Sequence, residues 1–164
     1  MPRTLILMRH AKQSALAARD HDRPLTDEGR NAAHHVGQTF LRDGLVPDHA
    51  LSSTALRCRQ TWECIAAALD ERRDATFEPS LYNATAAGLL DGLTLVEEKF
   101  EILLLLAHNP GISVLAIELA GGNEAALAAL RSGFTPASTA RFEIEGPWST
   151  VSARSARFLR FDPV

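Results

Sequence analysis

Cysteine is scarce in this 164-residue sequence, with Cys58 and Cys64 the only two. Both fall in one expected helix, about 9 Å apart along its axis, which is too far for a disulfide. No CxxC pair and no Cys/His metal spacing is present, so thiols in a reducing compartment are expected. No apolar run reaches a membrane-spanning length. The opening run 5–8 is too short for the apolar region of a signal peptide, so a cytoplasmic protein is expected. Excess positive charge is also missing. The formal net charge is −3, which leaves no global basic field to draw nucleic acid or an anionic membrane. Lysine is almost absent, since only Lys12 and Lys99 occur among 17 basic residues. Arginine suits bidentate contacts to phosphate or carboxylate better, although a high arginine share can also reflect genomic composition. There is no internal repeat, low-complexity segment or domain boundary, so residues 1–164 are read as a single domain with a core of its own.

What is present begins with Thr4-Leu5-Ile6-Leu7-Met8-Arg9-His10. An apolar run without polar breaks suits a strand covered on both faces. It stops at a cation and an imidazole, and open α/β sheets place ligand sites at the carboxyl ends of such strands. A polar segment with a proline, 11–25, reads as a loop, long for a plain strand-to-helix connection and so a candidate for function. Thr26 reads as a helix N-cap, with Asp27 and Glu28 at the positive end of the dipole. Gly44 reads as the stop. A short strand at 49–51 leads into Ser52-Ser53-Thr54. A helix is expected over 55–69, with Arg57 in its first turn, and a strand over 75–78. Helical segments are expected at 81–90 and 96–100, then a strongly apolar strand at 101–107 ending in His108-Asn109-Pro110-Gly111. Helices over 113–120 and 123–131 follow, with Asn123 as a cap. Residues 139–145 alternate as a one-sided edge strand would, and 157–161 reads as the last strand. The alternation of strand and helix predicts a three-layer α/β/α fold with a mostly parallel sheet and antiparallel late strands.

Three strand ends therefore meet at one sheet edge: Arg9-His10, Ser52-Ser53-Thr54 with Arg57, and His108-Asn109. Histidine can act as a covalent nucleophile. Guanidinium groups and helix amino termini suit a phosphoryl group and its transition-state charge. The set reads as an oxyanion site with an imidazole placed for in-line attack. Such an attack needs one ring nitrogen of His10 unprotonated and the other held by an acceptor, here a backbone carbonyl expected in the 11–17 loop. A Ser nucleophile has no support, because no G-x-S-x-G elbow occurs.

These residues resemble a known family. Arg9-His10-Ala11-Lys12, Asp22-Arg23-Pro24-Leu25-Thr26, Ser52-Ser53-Thr54-Ala55-Leu56-Arg57, Gln60-Thr61 and His108-Asn109-Pro110 occur in the order found in the histidine phosphatase (phosphoglycerate mutase-like) superfamily. With the short length, they are similar to its small SixA-type phosphohistidine phosphatases. The resemblance implies that His10 is the nucleophile and is phosphorylated in turn. It implies that Arg9 and Arg57 bind phosphate oxygens, that His108 donates a hydrogen bond to the phosphoryl group, and that Arg23 is an extra phosphate ligand. Ser52 and Asn109 are candidate substrate contacts. No metal or other cofactor is implied, and the partner would be a phosphorylated protein carrying phosphohistidine, or a small phosphorylated substrate.

One departure from the family bears on the substrate. Many members carry a glutamate general acid after the third strand, where this sequence reads Leu81-Tyr82-Asn83-Ala84. A phosphomonoester has a poor leaving group and benefits from such an acid, whereas a protonated phosphoramidate nitrogen leaves readily. Asp20 and Asp22 are the possible substitutes. Three other readings compete: a small-molecule phosphomonoesterase, a phosphate- or phosphoprotein-binding module with little turnover, and a metal hydrolase using His10, Asp20, His21, Asp22 and His108. Arg59, His21, His34, His35 and His49 are expected at the surface, and Lys12 has no assigned role.

Overall fold

A computed structural model describes residues 1–164. Its strands are β1 (Arg3–Arg9), β2 (His49–Ser53), β3 (Asp74–Glu78), β4 (Ile102–Ala107), β5 (Thr139–Ile144) and β6 (Ala156–Asp162). Its helices are α1 (Asp27–Asp43), α2 (Leu56–Ala66), α3 (Ala86–Thr94), α4 (Gly111–Ala120) and α5 (Glu124–Arg131). The six strands form one sheet in the order β3-β2-β4-β1-β5-β6. The first four are parallel, whereas β5 and β6 run antiparallel. This is the expected α/β architecture.

Two separate cores explain the unbroken apolar runs. Leu5 and Leu7 of β1, with Leu103 and Leu105 of β4, pack against α3, α4 and α5 through Leu89, Ile112, Leu115 and Leu130. The alternate residues Ile6, Met8, Leu104 and Leu106 pack against α1 and α2 through Val36, Phe40, Trp62 and Ile65. Successive side chains of a strand point to opposite faces, so a strand buried on both faces must be apolar at every position. Thr26 caps α1 by accepting from the Gly29 amide, and Gly44 ends it with φ 67°, a left-handed conformation that suits glycine.

Several boundaries differ from expectation. β2 runs two residues further, to Ser53, and α2 ends at Ala66. α3 begins after Thr85, whose side chain accepts from the Gly88 amide; residues 79–81 form a separate 3-10 turn. Residues 96–100 are a turn and not a helix. The Glu98 carboxylate in that turn accepts from the Trp148 and Ser149 amides and pairs with Arg3, so its polar residues serve a tertiary anchor. β5 is not an edge strand, since it lies between β1 and β6. Its polar positions have charged partners: buried Arg141 meets Asp43 at 2.9 Å and Asp162 at 3.3 Å, and half-buried Glu143 meets exposed Arg157 at 2.8 Å.

Candidate active site

Parallel register brings the two key histidines together. β1 and β4 pair Arg9 with Ala107, so His10 and His108 are the next residues on neighbouring strands. Their rings lie 5.2 Å apart, and both are buried. His10 Nδ1 lies 2.8 Å from the Ala11 carbonyl oxygen. A carbonyl only accepts, so Nδ1 carries the proton and Nε2 keeps its lone pair. This is the backbone acceptor expected in the loop. The Ala11 amide donates to Thr61 Oγ1 at 3.0 Å, and Thr61 donates to the Arg57 carbonyl at 2.6 Å. That chain locks the start of the β1–α1 loop to α2. Burial, together with Arg57, Arg9 and Arg23, pushes the His10 pKa down to about 4, so the imidazole is neutral at neutral pH.

His108 is held from the other side. Its Nε2 lies 2.8 Å from Ser53 Oγ and 3.6 Å from Cys58 Sγ. Ser53 Oγ accepts from the Ala55 amide at 3.2 Å, which leaves its own proton to donate. A hydroxyl both donates and accepts, so this contact serves either tautomer of His108. His108 Nδ1 is buried and has no partner within the protein; with Nε2 accepting from Ser53, this nitrogen carries the proton. Burial and the neighbouring His10 and Arg57 lower the His108 pKa to about 3. Burial pushes the Cys58 thiol up to about 12, which leaves it a packing group and not a thiolate nucleophile.

The arginines converge on the same edge. Arg57, 4% exposed, comes from the first turn of α2. It directs Nη1 to the Asp20 carbonyl at 2.8 Å and Nη2 to Asp20 Oδ2 at 3.0 Å. Arg23 Nη1 donates to Asp20 Oδ1 at 3.2 Å, while its Nε donates to the Ser14 carbonyl at 2.8 Å. Half-buried Arg9 donates to the Phe134 carbonyl at 3.1 Å, the same oxygen that Asn109 Nδ2 reaches at 3.0 Å. Asn109 is thus near the site but engaged with backbone. Ser52 is not in it: strand alternation buries that side chain fully, and its hydroxyl donates to the Ser53 carbonyl. Ser53 holds the position that touches His108.

Tyr82 is not among the residues expected from sequence. Its hydroxyl donates to Asp20 Oδ2 at 2.6 Å, and its ring meets His108 edge-on at 5.5 Å. The one signal that could have found it is that it is the sole tyrosine in the chain. Asp20 does not fit the role of proton donor. The Tyr82, Arg23 and Arg57 hydrogen bonds hold its carboxyl well below the usual carboxylate range. Arg59 is not simply solvated: it donates to the Thr54 carbonyl at 3.0 Å and lies 4.2 Å over the Phe77 ring. His21 contacts Thr54 Oγ1 at 2.9 Å and the Tyr82 ring, and His49 stacks on Phe100 at 4.5 Å. His34 and His35 are exposed as expected. Lys12 pairs with Glu28 at 2.7 Å on the surface.

A neutral imidazole with a free Nε2, three guanidinium groups and an unpartnered imidazole nitrogen can together hold an oxyanion against a nucleophile. Known proteins are similar to this chain in sequence and fold. A family model described as histidine phosphatase superfamily (branch 1) matches residues 5–109. The chain belongs to the histidine phosphatase superfamily. An uncharacterized chloroplastic protein of Arabidopsis thaliana is 33% identical, over 88% of this chain and 73% of its own length. An uncharacterized protein of Mycobacterium tuberculosis is 32% identical, over 94% and 98%. Among solved structures, a candidate phosphohistidine phosphatase SixA from Nakamurella multipartitia superposes with a TM-score of 0.86 at 31% identity, covering 100% of this chain and 98% of that one. A second such protein from Agrobacterium tumefaciens gives 0.84 at 28% identity, covering 100% and 99%.

No three His, Cys, Asp or Glu side chains are grouped so as to hold a metal ion, so the five residues of the metal-hydrolase reading do not form a ligand set. Two clefts, of about 250 and 200 Å³, lie elsewhere. One is lined by His49, Leu51, Leu95 and Phe100, the other by Phe40, Thr139, Arg141 and Arg160. Neither is lined by His10, Arg57 or His108.

Proposed function

We propose that this histidine phosphatase removes the phosphoryl group from phosphohistidine in a partner protein, through a phosphohistidine formed on its own His10. One observation carries the reading. His10 Nδ1 is committed to the Ala11 carbonyl, so Nε2 is free to attack beside Arg57 and His108. In the first step His10 Nε2 attacks phosphorus, the partner's P–N bond breaks, and the partner's imidazole, already protonated on its other ring nitrogen, leaves as neutral imidazole. In the second, water attacks phosphorus, inorganic phosphate departs, and His10 is regenerated. Arg9, Arg23 and Arg57 bind the phosphoryl oxygens, and the His108 Nδ1–H supplies one more donor, worth most where charge develops. Asn109 lies at the rim as a substrate contact.

The substrate class follows from the leaving group. A sugar phosphate needs a proton for its alkoxide, and the carboxyl nearest the site, Asp20, is held ionised. A phosphoramidate has no such need once its ring nitrogen is protonated. The unpaired Cys58 and Cys64 fit a reducing, cytoplasmic setting. No helix is long and apolar enough to cross a membrane.

The test is phosphoenzyme formation from a phosphohistidine peptide with EDTA present. The wild type should give an acid-labile, alkali-stable phosphoenzyme and release phosphate, and His10→Ala should do neither. Release that survives His10→Ala would place the chemistry elsewhere. Activity lost with EDTA and restored by a metal would refute the metal-independent mechanism. Rapid turnover of sugar phosphates would favour the small-molecule phosphomonoesterase. Phosphate binding without labelling or release would make the chain a binding module.

A further inference from the structure

Asp20 sits where the proposed substrate's negative charge belongs. Its Oδ2 accepts from Arg57 at 3.0 Å and from Tyr82 at 2.6 Å, and its Oδ1 accepts from Arg23 at 3.2 Å. Its backbone carbonyl takes the remaining arm of the Arg57 fork at 2.8 Å. One carboxylate thus engages two of the three arginines assigned to phosphate. The contact is built to be released. The Asp20 side chain is 48% exposed, whereas the Arg57 side chain is only 5% exposed. The acid belongs to a single 3-10 turn, Asp20–Asp22, within the β1–α1 loop and outside the sheet. The arginine is rooted in α2. Asp20 can therefore swing away while Arg57 stays.

We propose that Asp20 is the free protein's own oxyanion: its carboxylate occupies Arg57 and Arg23 until a phosphoryl group displaces it, and it thereby sets which anions bind and how readily product phosphate leaves. This rests on Arg57 and Arg23 being phosphate ligands. A phosphoryl dianion brings more negative charge to the guanidinium groups than the carboxylate it replaces. A singly charged carboxylate ligand gains nothing by the exchange and is excluded. Any bound phosphate also feels the nearby Asp20 charge, so removing that charge strengthens binding whether Asp20 leaves fully or only shifts. The partial exposure of the pair keeps the effect modest.

Calorimetric titration with inorganic phosphate, on the full chain, tests this. Asp20→Asn keeps the acceptor shape and removes the charge, and it should bind phosphate roughly two- to fivefold more tightly than wild type. Tyr82→Phe, which removes one of the three donors to the carboxylate, should shift affinity the same way by less. In turnover of a phosphohistidine peptide, Asp20→Asn should lower KM without raising kcat. Arg57→Ala should weaken phosphate binding, which reports on the underlying reading. Weaker or unchanged binding by Asp20→Asn, with Arg57→Ala still impaired, would overturn the proposal alone and make Asp20 a mere support for the arginines. Absence of phosphate binding in wild type and all variants would overturn both. Because Tyr82 is the only tyrosine, its ultraviolet titration checks the contact without any ligand. The Asp20 hydrogen bond raises the Tyr82 pKa, so the titration should move down in Asp20→Asn. A phenol that titrates identically in both proteins would also overturn the proposal.

Discussion

At the scale of single residues, the site depends on which ring nitrogen holds each proton. The Ala11 carbonyl settles this for His10, and a proton donated by the Ser53 hydroxyl would place the His108 proton on Nδ1. Ser53 therefore acts through His108, as a positioning residue. Ser53→Ala should leave the His108 ring without its Nε2 donor and let the other tautomer compete. We expect kcat to fall by roughly 10- to 100-fold, at or below the low end of what a misplaced catalytic proton costs because the correct tautomer is still partly populated, and Ser53→Thr to restore most of it. Nitrogen NMR of labelled histidine provides the independent readout. His108 should be the Nδ1–H tautomer in wild type and a mixture in Ser53→Ala. A wild-type His108 protonated on Nε2 would refute the assignment. Arg9, His10, Arg57 and His108 could be grouped from the sequence because a parallel sheet brings strand carboxyl ends and the helix starts that follow them to one edge, whereas Arg23, in a loop, was pointed to only by the family resemblance. Ser53 was harder to separate from Ser52. Both are serines at the end of one strand, and only the observed phase of β2 shows which hydroxyl reaches the imidazole. Tyr82 was hidden for another reason: it lies 62 residues from Asp20 along the chain, and only the fold brings the two together.

At the scale of elements, the β1–α1 loop is the part most exposed to small changes. It carries the Ala11 carbonyl, Arg23 and Asp20, and it is pinned at both ends. Near its start, the Lys12 carbonyl accepts from the Thr26 amide at 3.0 Å. The same carbonyl lies against α1, where a Cβ built on Gly29 would collide with the Lys12 oxygen. Glycine is therefore required by close approach of two backbones. Gly29→Ala should cost about 1–3 kcal/mol, the range for forced overpacking, and should reduce turnover more than Thr26→Ala. The latter loses a helix cap worth about 1 kcal/mol but displaces no backbone. Urea unfolding and phosphate release, measured on both variants, check the ranking. Equal effects would mean that the loop tolerates the shift. Helix starts such as Thr26 and Asn123 could be read because capping is local chemistry. The segment 96–100 and strand β5 could not be read in the same way. Glu98 and Arg141 owe their positions to Trp148, Asp43 and Asp162, all distant in sequence. Charged residues that answer to tertiary partners mimic the patterns of exposed helices and edge strands.

At the scale of the whole molecule, the buried histidines tie the fold to pH. Burial lowers His10 from 6.5 to about 4 and His108 from 6.5 to about 3; His49 shifts the same way. The unfolded chain then binds more protons than the folded one between those values, so stability rises with pH across the window. The contribution is fully present above pH 6.5 and is lost as pH falls toward 4 and then 3. Asp20, Asp43 and Glu98 have lowered pKa values instead. Their contributions are present above ordinary carboxylate values of 3.8 and 4.5 and fail only below them. The histidines therefore act first on acidification, and the carboxylates follow. The urea midpoint should be flat from about pH 8 to 7 and decline from about 6.5 to 5, with His10→Gln shallowing that decline. Catalysis should follow a different curve. His10 needs only its neutral form to attack, so the acid limb of kcat/KM should fall near pH 4 rather than near 6.5. Over the intervening range the protein should lose stability while each folded molecule keeps its activity. An acid limb at 6.5 would mean that His10 is solvated in the working enzyme, and the buried, neutral nucleophile on which the proposed mechanism rests would have to be abandoned.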